Sequence, residues 1–342
     1  MRKHGIVAIL ILLFVNTFAQ SNHQNNSASN ESGLVKWLDF KEAQELYKKQ
    51  PKPFLIDVYT DWCGWCKHMM RTTYSDQGIA NYINTYFYPI KFNAEAKDTI
   101  EYNGIKYAST DTLRKQSVHA LAVKLLGSNL SYPSTVFVSN NYQFNLLSSG
   151  YLEAKTIEPI LVFTVENVYR NSNYEEFKVN FDKAFYDTTK TPPTIKWYTM
   201  NEALELQKTK PKKMVVDIYT SFCNSCKVMN KTTFSDTKLA EYMNEHFYLV
   251  DFNAESKDSI VFNGTTFKNA GASNFPFHSL ALALTMNRFD LPTITVLDEK
   301  LQVLDVVPFY LSEKAIDPII HYFGDNEYKS LKWDEYIKTL KH

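Results

Sequence analysis

Apolar positions along the first half of the chain follow two alternating periods, which predict alternating helices and strands. Helical spacing marks amphipathic helices, whereas short dense runs of β-branched and aromatic residues are typical of buried strands. The predicted order is a helix over residues 38–49, a strand over 54–59, a helix from 63 to about 74, a second helical segment to residue 86 and a strand over 87–93. Ser75 or Asp76 is suited to cap the second helical segment.

The next stretch predicts a β-hairpin followed by further mixed elements. Residues 99–107 alternate around Asn103-Gly104, and Asn-Gly is the strongest short-range hairpin signal. A helix over 117–126, strands over 135–139 and 144–149 and a mainly helical segment over 152–169 follow. The pattern therefore predicts the α/β class.

The same pattern occurs twice along the chain. Residues 57–67 recur as 217–227, 160 residues later, and after the loss of one residue Pro133 corresponds to Pro292. Each copy is about 145 residues long, which is enough for one domain with its own core. Two long copies predict two tandem domains, not a solenoid of short units. The predicted parts are a signal peptide over 1–19, a disordered linker over 20–33, domain 1 over 34–187, a polar linker over 188–195 and domain 2 over 196–342.

The N-terminus predicts export. Arg2 and Lys3 precede an apolar stretch over residues 6–15, and cleavage after Ala19 fits a secretory signal peptide. The stretch is too short to span a bilayer comfortably, and an uncleaved anchor is the alternative. We expect a periplasmic or secreted protein. Because 37 basic residues balance 37 acidic ones, charge gives no reason to expect binding to nucleic acid or an anionic membrane.

Every cysteine of the chain lies in one of two C-x-x-C pairs, Cys63 with Cys66 and Cys223 with Cys226. Two thiols at this spacing indicate redox chemistry. A two-residue spacer closes a very small ring, so a disulfide there removes little entropy from the unfolded chain. The pairs are therefore expected to be reactive groups. A zinc site built from both pairs is the alternative.

Each copy resembles the thioredoxin fold almost from end to end. Asp57 lies six residues before Cys63, as the buried acid of thioredoxin does, and Trp62 and Lys67 flank the pair as in that family. Pro133 stands where thioredoxins have a cis-proline facing the disulfide. The resemblance implies two tandem thioredoxin-fold domains, each with a central mixed β-sheet flanked by helices.

Residues 61–67, followed by 73–76, are most similar to the periplasmic thioredoxin-like domain of DsbD-type electron transporters and related exported proteins. The chain departs from the family pattern in the Asn-Gly hairpin insertion, in the Gly64-Trp65 dipeptide and in an extra C-terminal helix in each copy. The dipeptide leaves the reduction potential open.

The resemblance implies roles for the residues around each cysteine pair. Cys63, at a helix N-terminus that favours a thiolate, would attack a substrate disulfide, and Cys66 would resolve the mixed disulfide. Asp57 would accept the proton of Cys66, with Lys91 as its partner, and Pro133 would leave backbone groups open for an extended substrate. The counterparts in the second copy are Cys223, Cys226, Asp217 and Pro292. No bound cofactor is implied.

The second copy differs around its cysteines. It has Phe222, Asn224 and Asp251 at the positions of Trp62, Gly64 and Lys91. Asp251 beside Asp217 would place like charges together and raise the pKa of one of them. We therefore expect a redox-competent second domain that is tuned differently, or one that serves mainly as a binding module.

Two further groups of residues have rival interpretations. His119 and His278 each open an amphipathic helix and are expected to cap or pack. His68, Met69 and Met70 follow the first pair; soft sulfur ligands and imidazole suit Cu(I), but methionines on a helix favour packing.

The sequence as a whole predicts an exported thiol–disulfide oxidoreductase of the reductase type. It would act on protein or peptide disulfides, and a membrane thiol–disulfide electron donor would recycle it. A disulfide isomerase, or a thioredoxin-fold binding or copper-handling module with little turnover, is the alternative.

Overall fold

The structure, a computed structural model, describes residues 33–109, 118–128, 130–189, 195–271 and 275–340. It contains two mixed β-sheets flanked by helices and two separate hairpins. The predicted fold class, two tandem thioredoxin-fold units with a hairpin in each, is confirmed. The predicted signal peptide lies outside the described residues. Within the described ranges, no helix has the length and apolar character that crossing a membrane requires.

The first unit is built on a four-stranded sheet. Its elements are α1 (Phe40–Lys49), β1 (Phe54–Tyr59), α2 (Gly64–Arg71), α3 (Gln77–Tyr86), β2 (Tyr88–Asn93), β3 (Ile100–Tyr102), β4 (Ile105–Tyr107), α4 (Ala120–Leu126), β5 (Ser134–Val138), β6 (Asn145–Ser149), α5 (Ala154–Val165) and α6 (Tyr174–Tyr186). The sheet order is β2-β1-β5-β6, with β1 parallel to β2 and antiparallel to β5. Strand β1, which leads to the first cysteine pair, is therefore central.

The second unit repeats this arrangement on a five-stranded sheet. Its elements are β7 (Trp197–Tyr198), α7 (Met200–Thr209), β8 (Lys213–Tyr219), α8 (Asn224–Lys231), α9 (Thr237–His246), β9 (Phe247–Asn253), β10 (Ile260–Phe262), β11 (Thr265–Phe267), α10 (Ser279–Leu284), β12 (Thr293–Leu297), β13 (Val303–Pro308), α11 (Glu313–Gly324) and α12 (Trp333–Thr339). The order β13-β12-β8-β9-β7 again places the strand before the cysteine pair inside the sheet.

Apolar side chains fill both faces of the first sheet. Successive residues of β1 point to opposite faces, so Leu55 joins the cluster that contains Met69, and Ile56 joins the one that contains Phe40. Both strand residues are fully buried. The continuous apolar run of β1 thus reflects a strand covered on both sides.

Helix α2 ends about three residues before the predicted end, and a 3₁₀ turn over Thr73–Ser75 follows it. The hydroxyl of Ser75 donates to the carbonyl oxygen of Met70 at 2.7 Å, a side-chain bond of the kind that competes with helix continuation. Asp76, the second of the two predicted capping residues, then caps α3.

Helix α6 of the first unit packs against the second. Phe177 and Phe181 share a buried apolar cluster with Met229 of α8 and with Tyr310. The side-chain amide of Asn180 donates to the hydroxyl of Tyr310 at 3.0 Å. The two units therefore share a packed interface, and the domain boundary at residue 187 stays a prediction.

Candidate active site

Cys63 and Cys66 form a disulfide at the start of helix α2. Cys63 is the N-cap, and the backbone N–H of Cys66 donates toward its Sγ at 3.0 Å. Free N–H groups at a helix N-terminus favour negative charge there, as on a thiolate. Cys63 is 4% exposed, whereas Trp62 and Trp65 on either side are 65% and 61% exposed. Cys63 is thus a buried residue flanked by two exposed aromatic side chains.

The proline loop is held beside this pair. The Tyr132-Pro133 peptide bond is cis, as the resemblance implied. The ring of Tyr132 packs edge-on against Trp62 with the centroids 6.0 Å apart. Trp62 also donates its indole N–H to Oε1 of Glu95 at 3.1 Å. These contacts hold the loop before Cys63 against the loop that carries Pro133.

Asp57 is buried in β1 and lies opposite Lys91 in the parallel register with β2. Its Oδ1 accepts from the Tyr74 hydroxyl at 3.4 Å, and its Oδ2 has no hydrogen-bond partner among the described residues. Burial raises the pKa of Asp57 to about 7, opposed by the charge of Lys91 and the Tyr74 bond. A cavity of about 310 Å³ is lined by Asp57, Lys91 and Cys66. A carboxyl that titrates near neutral pH on the cavity of Cys66 is suited to take its proton.

The second pair has the same frame. Cys223 caps α8, the backbone N–H of Cys226 donates toward its Sγ at 3.1 Å, and the two form a disulfide. The Leu291-Pro292 peptide bond is also cis. Each unit therefore combines a disulfide at a helix N-terminus with a cis-proline peptide bond.

The acid behind the second pair has a different neighbour. Asp217 lies opposite Asp251 in the register of β8 with β9, and both line a cavity of about 330 Å³ with Cys226. Burial raises the pKa of Asp217 to about 8, and the charge of Asp251 adds to the rise. Burial also raises the pKa of Asp251, opposed by a hydrogen bond from Tyr219. The structure thus places the two acids opposite each other, as the sequence predicted.

The two helix-opening histidines are capping residues, as predicted. Nδ1 of His119 accepts from the backbone N–H of Leu121 at 3.1 Å, and its Nε2 lies 3.0 Å from the carbonyl oxygen of Asp98. His278 makes the equivalent contacts at the start of α10. Both side chains are fully buried and satisfied.

The methionines after the first pair are packing residues. Met69 and Met70 belong to the buried cluster of the first unit. The ring of His68 packs against Trp65 and Tyr151, with centroid distances of 5.5 and 5.1 Å. In the described part of the chain, no group of three or more His, Cys, Asp or Glu side chains is arranged to hold a metal ion.

Sequence reasoning missed two acids that hold the loops before the cysteine pairs. Glu95 accepts from Trp62, and Glu255 accepts from the backbone N–H of Ser221 at 2.5 Å. The repeated Asn-Ala-Glu at the ends of β2 and β9 was the available signal. It also missed Tyr74, whose hydroxyl reaches the buried acid of the first unit only.

A profile of the Thioredox_DsbH family, described as a protein of unknown function, DUF255, matches residues 17–156 and 177–281, well over half of the chain. No curated protein shows a significant match.

Solved structures of several small proteins match parts of the chain. A thioredoxin-fold protein from Helicobacter pylori is 18% identical over 47% of this chain and 89% of its own, with a TM-score of 0.29. A DsbH oxidoreductase is 14% identical over 42% and 92%, with a TM-score of 0.27. The oxidised C-terminal domain of DsbD from Neisseria meningitidis is 18% identical over 38% and 99%, with a TM-score of 0.25.

Proposed function

The chain belongs to the Thioredox_DsbH family, and we propose that it is a thiol–disulfide oxidoreductase that works in the reducing direction. Its substrates are disulfides of proteins or peptides. The two sulfurs of a C-x-x-C pair carry the electrons themselves, so the reaction requires no bound cofactor.

In the first unit, the reaction begins with the reduced pair. The Cys63 thiolate attacks one sulfur of the substrate disulfide, which forms a mixed disulfide and releases the other sulfur as a thiolate that takes up a proton. Cys66 then gives its proton to Asp57 and attacks the sulfur of Cys63. The mixed disulfide breaks, and the second substrate sulfur leaves as a thiolate that takes up a proton, which Asp57 can return. Two electrons have passed to the substrate, and the pair is left as a disulfide.

The single observation that carries this proposal is the cavity that Asp57 shares with Cys66. A general base works best when its pKa lies near the working pH. Burial raises the pKa of Asp57 to about 7, and Lys91 on the neighbouring strand favours the charged form. This combination supplies a base for the resolving thiol that an exposed carboxylate would not match.

A donor must return two electrons to the pair after each turnover. The predicted signal peptide supports a periplasmic or secreted location, where no soluble reducing pool is expected. We propose that a membrane thiol–disulfide electron donor supplies these electrons by exchange with the first pair.

Disulfide isomerase is the second candidate. The observation that favours it is the presence of two pairs whose buried acids have different surroundings, with Lys91 opposite one and Asp251 opposite the other. Pairs with different potentials in one chain can separate reduction from reoxidation of a client disulfide.

The test uses the chain without its predicted signal peptide. Insulin reduction by dithiothreitol, followed by turbidity, should be catalysed by the wild type and lost almost completely in Cys63→Ser. Cys223→Ser is the matched control and should retain most of the activity. Loss of activity only in Cys223→Ser would overturn the assignment of the first pair.

The direction of electron flow is tested by equilibrating each pair with glutathione or dithiothreitol. A potential near about −270 mV supports the reductase, whereas one near about −180 mV supports the isomerase.

A further inference from the structure

A carboxylate of the first unit lies on the N-terminus of the second cysteine helix. Glu166, directly after α5, accepts from the backbone N–H of Asn224 at 3.1 Å and from that of Ser225 at 2.6 Å. Its Oε2 lies 3.7 Å from Sγ of Cys223. The anion-binding end of α8 is thus occupied by an acid from the other unit.

Packing between the units holds Glu166 in place. Val162 and Phe163, on the last turn of α5, are buried in the same apolar cluster as Val228 of α8. Lys231, at the end of α8, donates to the carbonyl oxygen of Ala184 in α6 at 2.7 Å. The contact of Glu166 with α8 is therefore supported at both ends of that helix.

Among the described residues, no comparable acid lies on the N-terminus of the first cysteine helix. Trp65, the second residue between its cysteines, is 61% exposed, whereas the corresponding Ser225 is fully buried. The repeat supplies a matched acid as well. Asp325, at the same position after α11, accepts instead from the hydroxyl of Tyr242 at 2.7 Å and lies 3.2 Å from Nδ1 of His321.

The position of Glu166 works against a thiolate at Cys223. The backbone N–H groups of Asn224 and Ser225 already bind the carboxylate, which leaves the N–H of Cys226 to donate toward the Cys223 sulfur. A like charge also lies beside that sulfur. The groups that face Glu166 are Lys227 and the Ser225 hydroxyl on α8, and Tyr82 on α3. Burial raises the pKa of Glu166, opposed by the bonds from α8 and the charge of Lys227.

We propose that Glu166 sets the reactivity and the reduction potential of the second pair by holding reduced Cys223 as a neutral thiol. A stabilised thiolate makes a disulfide more oxidising, so its loss makes the second pair harder to reduce and slower to exchange. Reduction of the Cys223–Cys226 bond then takes up two electrons and two protons, one on each sulfur. The inference rests on the proposed function, because it requires the second pair to be redox-active.

The experiment uses the full chain with Cys63→Ser and Cys66→Ser, so that only the second pair reports. Glu166→Gln keeps the size and one acceptor oxygen but removes the charge. Thiolate absorbance is followed against pH, alkylation by iodoacetamide is timed at pH 7, and the pair is equilibrated with glutathione. Asp325→Asn is the matched control.

Glu166→Gln should form the Cys223 thiolate at lower pH and react about tenfold faster with iodoacetamide. The equilibrium with glutathione should shift about tenfold toward the reduced pair, which corresponds to about 30 mV for two electrons. Asp325→Asn should change none of these quantities. An unchanged thiolate titration in a folded Glu166→Gln variant would overturn the proposal and leave Glu166 as a structural contact.

A second measurement needs no change at Glu166. In chains that retain one intact pair each, the Cys223 thiolate should form at higher pH than the Cys63 thiolate. The same or a lower pH for Cys223 would overturn the proposal even if Glu166→Gln failed to fold. Thiolate titration requires no turnover, so this result is independent of whether the chain proves to be a reductase.

Discussion

The two cysteine pairs lie in equivalent positions of the fold, but the residue opposite the buried aspartate of each unit differs in charge. Asp57 and Asp217 occupy the same strand position, but the residue opposite is Lys91 in one sheet and Asp251 in the other. Burial raises both pKa values, to about 7 for Asp57 and about 8 for Asp217. Burial therefore sets the common rise in pKa, and the cross-strand neighbour, together with the Tyr74 hydroxyl in the first unit, tunes it.

The two pairs also differ in what surrounds them. Trp62 and Trp65 leave a broad exposed surface around the first pair. At the second pair, Ser225 is buried and Glu166 of the first unit lies on the helix N-terminus. The cysteines of the two pairs are equally buried, but the first pair lies beside exposed tryptophans, whereas the N-terminus of the second cysteine helix contacts the other unit.

The largest expected difference concerns trapping of protein substrates. Cys66→Ser, in a chain whose second pair is replaced by serine, should accumulate mixed disulfides at Cys63, because attack occurs and resolution does not. Cys226→Ser, in a chain whose first pair is replaced, should trap little protein. Cys223 is no more buried than Cys63, at 4% exposed, but Ser225 beside it is buried and Glu166 of the first unit lies 3.7 Å from its sulfur, so less surface is left on which a protein can dock. Non-reducing gels and mass spectrometry of a reaction with a model protein disulfide measure both.

Equal trapping by the two variants would contradict the claim that protein substrates dock less well at the second pair. Trapping by the small disulfide of oxidised glutathione, run to completion at a pH at which both thiols ionise, serves as the control, since a small molecule should then react with both sulfurs. A Cys66→Ser chain that traps nothing, beside a Cys63→Ser chain that does, would reverse the roles of the two cysteines.

The sequence predicted the difference in charge opposite the two buried acids, because the cause of that difference is local. Strand register follows from apolar periodicity, so the position of Asp251 opposite Asp217 could be anticipated from the alignment of the two copies. Capping by Asp76 and by His119 also depends on neighbouring residues only.

Glu166 could not be predicted in the same way. It is equivalent to Asp325 in the repeat, and the local pattern assigns both the same place after a helix. Their contacts differ because α6 docks the first unit onto the second, with Phe177 in the shared core. Docking of this kind depends on surfaces that are distant in sequence, and the local apolar periodicity does not predict contacts between such surfaces.

The next prediction concerns stability against pH. Both acids have folded pKa values above the value of about 3.9 for an unfolded aspartate. Their favourable contribution to the free energy of unfolding is therefore complete below about pH 4. It is lost as the pH rises through about 7 for Asp57 and about 8 for Asp217. Asp217→Asn removes that loss and should stabilise the chain by about 2–4 kcal/mol at pH 8. Asp57→Asn should gain less, because Lys91 favours the charged form that the substitution removes.

Urea unfolding at pH 5 and pH 8 measures this difference. The gain should be smaller at pH 5, because the folded side chains are neutral there and the pH lies only about one unit above the unfolded pKa of about 3.9. The exposed Asp61→Asn is a control with no expected change. A larger gain from Asp57→Asn than from Asp217→Asn would contradict the assigned effect of Lys91.

The smallest expected effect is the most specific to the cross-strand neighbour. Lys91→Asp should raise the pKa of Asp57, and Asp251→Lys should lower that of Asp217, because each reverses the charge opposite the acid. A change of about one pKa unit alters the fraction of base about tenfold below that pKa. Resolution of a mixed disulfide near pH 7 should therefore slow by up to about tenfold in Lys91→Asp and accelerate by a similar factor in Asp251→Lys.

Stopped-flow exchange with a model disulfide between pH 6 and 9 measures resolution, in full-length chains that retain one intact pair. The rate in the first unit should rise with a midpoint near pH 7 and that in the second near pH 8, since the base must be deprotonated to act. Lys91→Met separates the loss of the positive charge from the addition of a negative one and should fall between wild type and Lys91→Asp. If both substitutions leave the midpoints of the rate against pH unchanged, Asp57 and Asp217 do not carry the proton. The difference between the two pairs then comes from Glu166 beside Cys223.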